Sequence, residues 1–191
     1  MERALTIVAI DFEASCLPRH GRSFPIEVGV SVAGRTQSWL IRPHDSWAGW
    51  DWTAEAEALH GLPLARLLRE GLPADAVLDR LVAATEGHRV VADSVIDQYW
   101  LETLARAAGE GAPFMIDHVS ILLDEYGASD QRICAAVAHA DGRHPVRHRA
   151  GSDAAWLSAL IDHIAGHAPV IPAMPTAARC RAASVSAGNN L

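Results

Sequence analysis

The chain opens on Ala4 to Glu13, Ala-Leu-Thr-Ile-Val-Ala-Ile-Asp-Phe-Glu, an almost unbroken apolar run that closes on two carboxylates. A run of this kind suits a central strand covered on both faces. Ile26 to Val32 and Thr36 to Ile41, separated by Ala33-Gly34-Arg35, predict a second and a third strand in an antiparallel meander with the first. The pattern then becomes helical. Helices are predicted over Ala54 to His60, stopping at Gly61, and over Leu64 to Glu70, stopping at Gly71. A third covers Pro73 to Thr85, with proline at its start and Gly87 beyond its end. Arg89 to Ala92 predicts a fourth strand, Val95 to Ala108 a helix, and Phe114 to Ile116 a short fifth strand. Helical patterns near Ser120 to Tyr126, Ser129 to Ala140 and Ser152 to Ile164 complete the chain. Together these elements predict an α/β domain whose mixed central sheet is flanked by helices.

From Gly166 onward proline, alanine and serine dominate without periodicity. We therefore expect one domain over residues 1–168 and a flexible tail over 169–191. Half of the 191 residues are apolar, enough for one good core. Cys16, Cys134 and Cys180 have no ligand spacing, which points to a reduced, cytoplasmic protein and away from a cysteine zinc site. The first apolar run is too short for a signal peptide and Asp11 interrupts it, and no stretch approaches a membrane span, so no membrane partner is expected. Net charge is −7, and all 16 fixed side-chain cations are arginines. That balance argues against a basic face for long duplexes, so any contact with nucleic acid should be short and metal-assisted.

Candidate chemistry begins with Asp11 and Glu13. Side chains two apart on a strand share a face and stand about 6–7 Å apart along the backbone. Their charges repel, and a divalent cation converts that repulsion into shared coordination. Carboxylates at the carboxyl end of a buried strand also sit where open α/β sheets place their sites. Glu27, early in the second strand, either supports that site or, more simply, faces solvent at an edge. Trp47, Trp50 and Trp52 either stack on bases or, more simply, pack their loop onto the fold. Asp97 falls in the first turn of its helix, where a carboxylate suits the dipole. His148 lies in a loop before the last helix, from which Asp153 can turn to the same point. His88 and Asp93 repeat the spacing across a strand, about 16 Å apart and too far to share a metal. Arg19, Arg22, Arg147 and Arg149 are candidate phosphate contacts.

Five segments in order resemble the DEDDh, or DnaQ-like, 3′ to 5′ exonucleases: Asp11-Phe-Glu13, Ser23-Phe-Pro-Ile-Glu-Val-Gly29, Leu59-His-Gly-Leu62, Val90-Val-Ala-Asp-Ser-Val-Ile-Asp97 and His148-Arg-Ala-Gly-Ser-Asp153. The group includes polymerase proofreading exonucleases, ribonuclease T and oligoribonuclease, and the resemblance spans residues 4–165. It implies a ribonuclease H-like fold, with strands 1–3 as the meander and parallel strands beside them. It implies that Asp11, Glu13, Asp97 and Asp153 bind two Mg²⁺ or Mn²⁺ ions and that His148 is the general base. It places Phe12, Ala14, His60 and Leu62 at the terminal nucleotides. The implied activity is release of nucleoside monophosphates from the 3′ ends of short or single-stranded DNA or RNA, and a homodimer is compatible with it. The chain departs from the pattern at Ala92-Asp93, where many members have His-Asn. Asp93 thus rivals Asp97; Ile96-Asp97 fits the motif better. That departure leaves room for an alternative, a weak or inactive module that binds nucleotides or a protein partner.

Overall fold

The computed structural model describes residues 6–18 and 22–166. Arg19, Cys180, the first residues of the opening strand and the 169–191 tail lie outside them. Five strands form one sheet: β1 (Ile7–Ala14), β2 (Pro25–Val32), β3 (Arg35–Leu40), β4 (Arg89–Ala92) and β5 (Asp117–His118). Their spatial order is β3-β2-β1-β4-β5. The meander is antiparallel, with Asp11 opposite Gly29 and Glu13 opposite Glu27, while β4 runs parallel to β1 and β5 parallel to β4.

The predicted helices form with small boundary shifts: α1 (Ala54–His60), α2 (Leu64–Glu70), α3 (Ala74–Thr85), α4 (Asp97–Ala107), α5 (Val119–Glu125), α6 (Asp130–Arg143) and α7 (Ala150–Gly166). Thr53 caps α1 by accepting from the Ala56 amide, and Gly61 ends it in the left-handed region at φ 65°. The fifth strand is displaced. Phe114 and Ile116 pack against the core, and the Ile116 amide donates to the Gln98 side chain at 2.9 Å. The ladder forms instead at Asp117 and His118, where Arg89 pairs with Asp117 at 2.7 Å.

Alternation along β1 divides the interior. Val8, Ile10, Phe12 and Ala14 enter one core with Val77 and Leu81 of α3 and Leu101 and Leu104 of α4. Ala9 turns to the other face, into a second core with Val91, Leu122, Ala136, Leu157 and Ile161. The sheet is thus covered on both sides, which is why β1 and β4 read as apolar runs. Trp47 is buried and stacks on Phe24 with centroids 5.4 Å apart, while Trp50 and Trp52 pack against the same core. The tryptophans fasten their loop to the fold, as the simpler reading had it.

Candidate metal centre

β1 and β4 run side by side only as far as Ala9 and Val91. Beyond them β4 ends at Ala92 and the chain leaves the sheet, opening a crevice at the carboxyl end of β1, the usual ligand position in open α/β sheets. Asp11 and Glu13 lie on β1 at this crevice, Asp93 follows β4 directly, and Asp97 is the first residue of α4. Asp153 sits in the first turn of α7.

Close approach of α7 delivers that last carboxylate. A Cβ on Gly29, opposite Asp11, would lie 2.3 Å from the Ala150 carbonyl carbon and oxygen and 2.4 Å from the Gly151 nitrogen. Only a residue without a side chain allows the helix to start there. Glu27 secures the same junction. Its carboxylate accepts from Arg149 Nε and Nη2 at 2.8 Å each and from the Ala150 amide at 3.2 Å. At 2% exposure Glu27 is buried, contrary to the solvent-facing reading, because Arg149 supplies a two-pronged partner from far along the chain.

Two trios of carboxylates result. Asp11, Asp93 and Asp97 each offer an oxygen within 4.8 Å of the others, and so do Asp11, Glu13 and Asp153. Asp11 belongs to both. Burial and like charges oppose ionisation of Asp11, Glu13, Asp93 and Asp97. Asp11 is raised well above the ordinary aspartate value by burial and by Asp97, Glu13, Asp153 and Asp93 together. Glu13 is pushed up to about 7 by burial, then by Asp153 and Glu27, with Arg149 opposing. Asp97 is likewise raised by burial and by Asp93. Asp93 rises because its carboxylate is partly shut off from water among its neighbours, although the residue as a whole is exposed, and the charge of Arg147 opposes the rise.

The oxygens at the centre lack protons to accept. Asp97 Oδ1 takes the Phe12 amide at 3.2 Å, but Asp97 Oδ2 and Asp11 Oδ2 are enclosed without a hydrogen-bond partner. Buried, unpaired and mutually repelling carboxylate oxygens suit a hard divalent cation, and an all-oxygen donor set favours Mg²⁺ or Mn²⁺ over zinc. The residues present therefore fit the metals that the sequence resemblance implies.

The loop before α7 carries the remaining groups. Arg147 forms an ion pair with Asp153 through Nε and lies over the Trp156 ring at 4.1 Å. His148 is exposed, and its backbone amide donates to Asp153 Oδ2 at 2.9 Å. Its φ of 66° is uncommon for a residue with a side chain and marks a held conformation. Arg147 and Arg149 are thus engaged with carboxylates rather than free for phosphate. Spacing gave no sign of either pairing.

Beside the carboxylates lies a cavity of about 740 Å³ lined by Phe12, Glu13, Ala14, Trp52, Leu59 and His60 among others. Leu62 is fully buried in the core and does not line it. The Leu62 amide donates to His60 Nδ1 at 3.0 Å, so the proton of the neutral ring resides on Nε2, which is buried without a partner. Burial lowers the His60 pKa and keeps the ring neutral.

No family model and no curated protein matches the sequence. Solved structures share its fold. One is a 3′-exonuclease solved in 3′-end specific recognition of a histone mRNA stem-loop, with a TM-score of 0.64 at 13% identity over 85% of this chain and 64% of that one. Exonuclease I of E. coli in complex with a dA16 oligonucleotide gives a TM-score of 0.64 at 12% identity, over 86% of this chain. S. pombe Pop2p in a Mg²⁺ and Mn²⁺ bound form gives 0.57 at 12% identity, over 83% of this chain and 82% of that one. This chain spans 64% and 41% of the first two proteins. The fold is the ribonuclease H-like fold of exonucleases, as the sequence resemblance implied.

Proposed function

We propose that the protein is a metal-dependent 3′ to 5′ exonuclease that hydrolyses phosphodiester bonds of single-stranded or 3′-tailed DNA or RNA to nucleoside monophosphates. The observation that carries this reading is the convergence of the two carboxylate trios on Asp11, with partnerless buried oxygens on Asp11 and Asp97. The fold shared with 3′-end nucleases supports it. Asp11, Glu13, Asp97 and Asp153 hold two Mg²⁺ or Mn²⁺ ions. Bound there, the ions supply activation of the attacking water and stabilisation of the leaving 3′ oxygen. His148 accepts the water's proton on an imidazole nitrogen, and its exposed position lets it meet substrate from the solvent side. Phe12, Ala14 and His60 receive the terminal nucleoside in the adjoining cavity that they line. Leu62 supports that ring from the core through its amide.

The test is a 5′-labelled oligonucleotide with a 3′ tail, as matched RNA and DNA, with Mn²⁺ or with chelator. Stepwise shortening from the 3′ end is expected only with metal, and Asp11→Ala or Glu13→Ala should abolish it. His148→Ala should slow cleavage by roughly 10²- to 10⁴-fold while leaving Mn²⁺ affinity in place. Activity in Asp11→Ala equal to the parent would sink the site assignment. A second reading, a binding module without catalysis, is favoured by the Arg147 ion pair on Asp153. It requires that neither Mn²⁺ binding nor cleavage be found.

A further inference from the structure

Asp93 stands where the resemblance calls for asparagine, and the fold gives it a definite place. β4 delivers it to the carboxyl edge of the sheet, and the short turn through Ser94 and Ile96, in which the Ile96 amide donates to Ser94 Oγ at 3.3 Å, brings the chain round to Asp97. The backbone of Asp93 is held from β5. His118 Nδ1 accepts from the Ser120 amide at 3.2 Å, so Nε2 carries the proton that it donates to the Asp93 carbonyl at 3.0 Å. The carboxylate itself lies within reach of Asp11 and Asp97, each offering an oxygen within 4.8 Å. Asp97, only 1% exposed, keeps its Oδ2 buried without a partner, and Asp11 Oδ2 is likewise buried without one.

We propose that Asp93 is a direct ligand of a divalent cation held jointly with Asp11 and Asp97, so that five carboxylates rather than four build the centre. The Asp93 side then carries three anionic ligands, matching the Asp11, Glu13 and Asp153 side. Affinity for hard cations rises with the number of charged oxygen ligands. Both positions in this chain therefore load at comparable metal concentrations, where asparagine in place of Asp93 would leave one of them weaker. The inference rests on the metal-centre reading above and is independent of nuclease activity.

Calorimetric titration of the full chain with Mn²⁺ alone, without nucleic acid, tests it on three proteins: the parent, Asp93→Asn and Asp93→Ala. Asp93 is exposed at a strand end, so both variants should fold, and their melting curves report it. Expected is two-site binding by the parent and a weakening of one of the two steps by tenfold or more in Asp93→Ala. The weakening should be smaller in Asp93→Asn, whose amide oxygen still coordinates. Equal losses in the two variants, spread over both steps, would show an electrostatic influence without ligation and overturn the proposal. So would unchanged binding in both. If the parent itself bound no Mn²⁺, the metal-centre reading would fail along with it.

Discussion

Replacing Glu13 by glutamine separates a metal ligand from a structural carboxylate by the sign of its effect on stability. Burial and the neighbouring Asp153 and Glu27 lift the Glu13 pKa from 4.5 to about 7. Because the folded value exceeds the unfolded one, the folded chain binds this proton more tightly. The resulting stability is fully present below pH 4.5 and disappears as pH rises through 7. At pH 8 the metal-free fold therefore holds an ionised Glu13 at a cost of about 3 kcal/mol relative to an exposed glutamate. Glutamine carries no charge, so Glu13→Gln in chelator at pH 8 should stabilise the fold by up to about 3 kcal/mol. At roughly 2–4 °C per kcal/mol for a chain of this size, the melting temperature rises by about 6–12 °C. At pH 5, where the folded parent already holds the proton, the gain should shrink to below about 1 kcal/mol. Saturating Mn²⁺ should reverse the order, since it binds the charged carboxylate of the parent more tightly than the neutral amide of the variant and so stabilises the parent more. Melting curves at pH 5 and 8, with chelator and with Mn²⁺, measure all four conditions. A lower melting temperature for Glu13→Gln in chelator at pH 8 would refute the reasoning, because it would mean that the carboxylate serves the fold through a partner such as Arg149.

Three further outcomes are expected. Gly29→Ala places a Cβ 2.3 Å from the Ala150 backbone, and it should cost about 1–3 kcal/mol and lower Mn²⁺ affinity by displacing Asp153; a variant that binds metal as the parent does would contradict the close-approach argument. Glu27→Gln leaves Arg149 with a weaker partner at the same junction and should destabilise the fold by about 2–3 kcal/mol in denaturant titration, an unchanged midpoint counting against the clasp. Arg147→Met frees Asp153 from its partly exposed ion pair, worth about 1 kcal/mol, so Mn²⁺ should bind about fivefold tighter by calorimetry; equal or weaker binding would show that the guanidinium does not compete with metal.

The sheet was legible where local pattern and tertiary environment agree. β1 and β4 are buried on both faces and read as apolar runs, and α1 ends where Gly61 supplies a left-handed residue. β5 was misplaced by a few residues because its pairing residues are polar, while the apolar Phe114 and Ile116 serve the core. Within the site, the shared face of Asp11 and Glu13 follows from strand alternation alone. The approach of Asp97 and Asp153 does not, since it depends on a helix seated on Gly29 and a strand ending at Ala92. Motif order supplied those residues where spacing could not. The partners of Glu27 and Arg147 were not legible for a related reason. Each is defined by its partner, Arg149 for the one and Asp153 for the other, and a single charged residue in a row does not reveal which charge it will meet.

Manganese located by anomalous diffraction in crystals of the full chain addresses the centre itself. A two-ion centre gives two peaks that share Asp11, one against Glu13 and Asp153 and the other against Asp97, with Arg147 moved off Asp153. Crystals saturated with Mn²⁺ that show no peak among these carboxylates, and Arg147 still paired with Asp153, would contradict it.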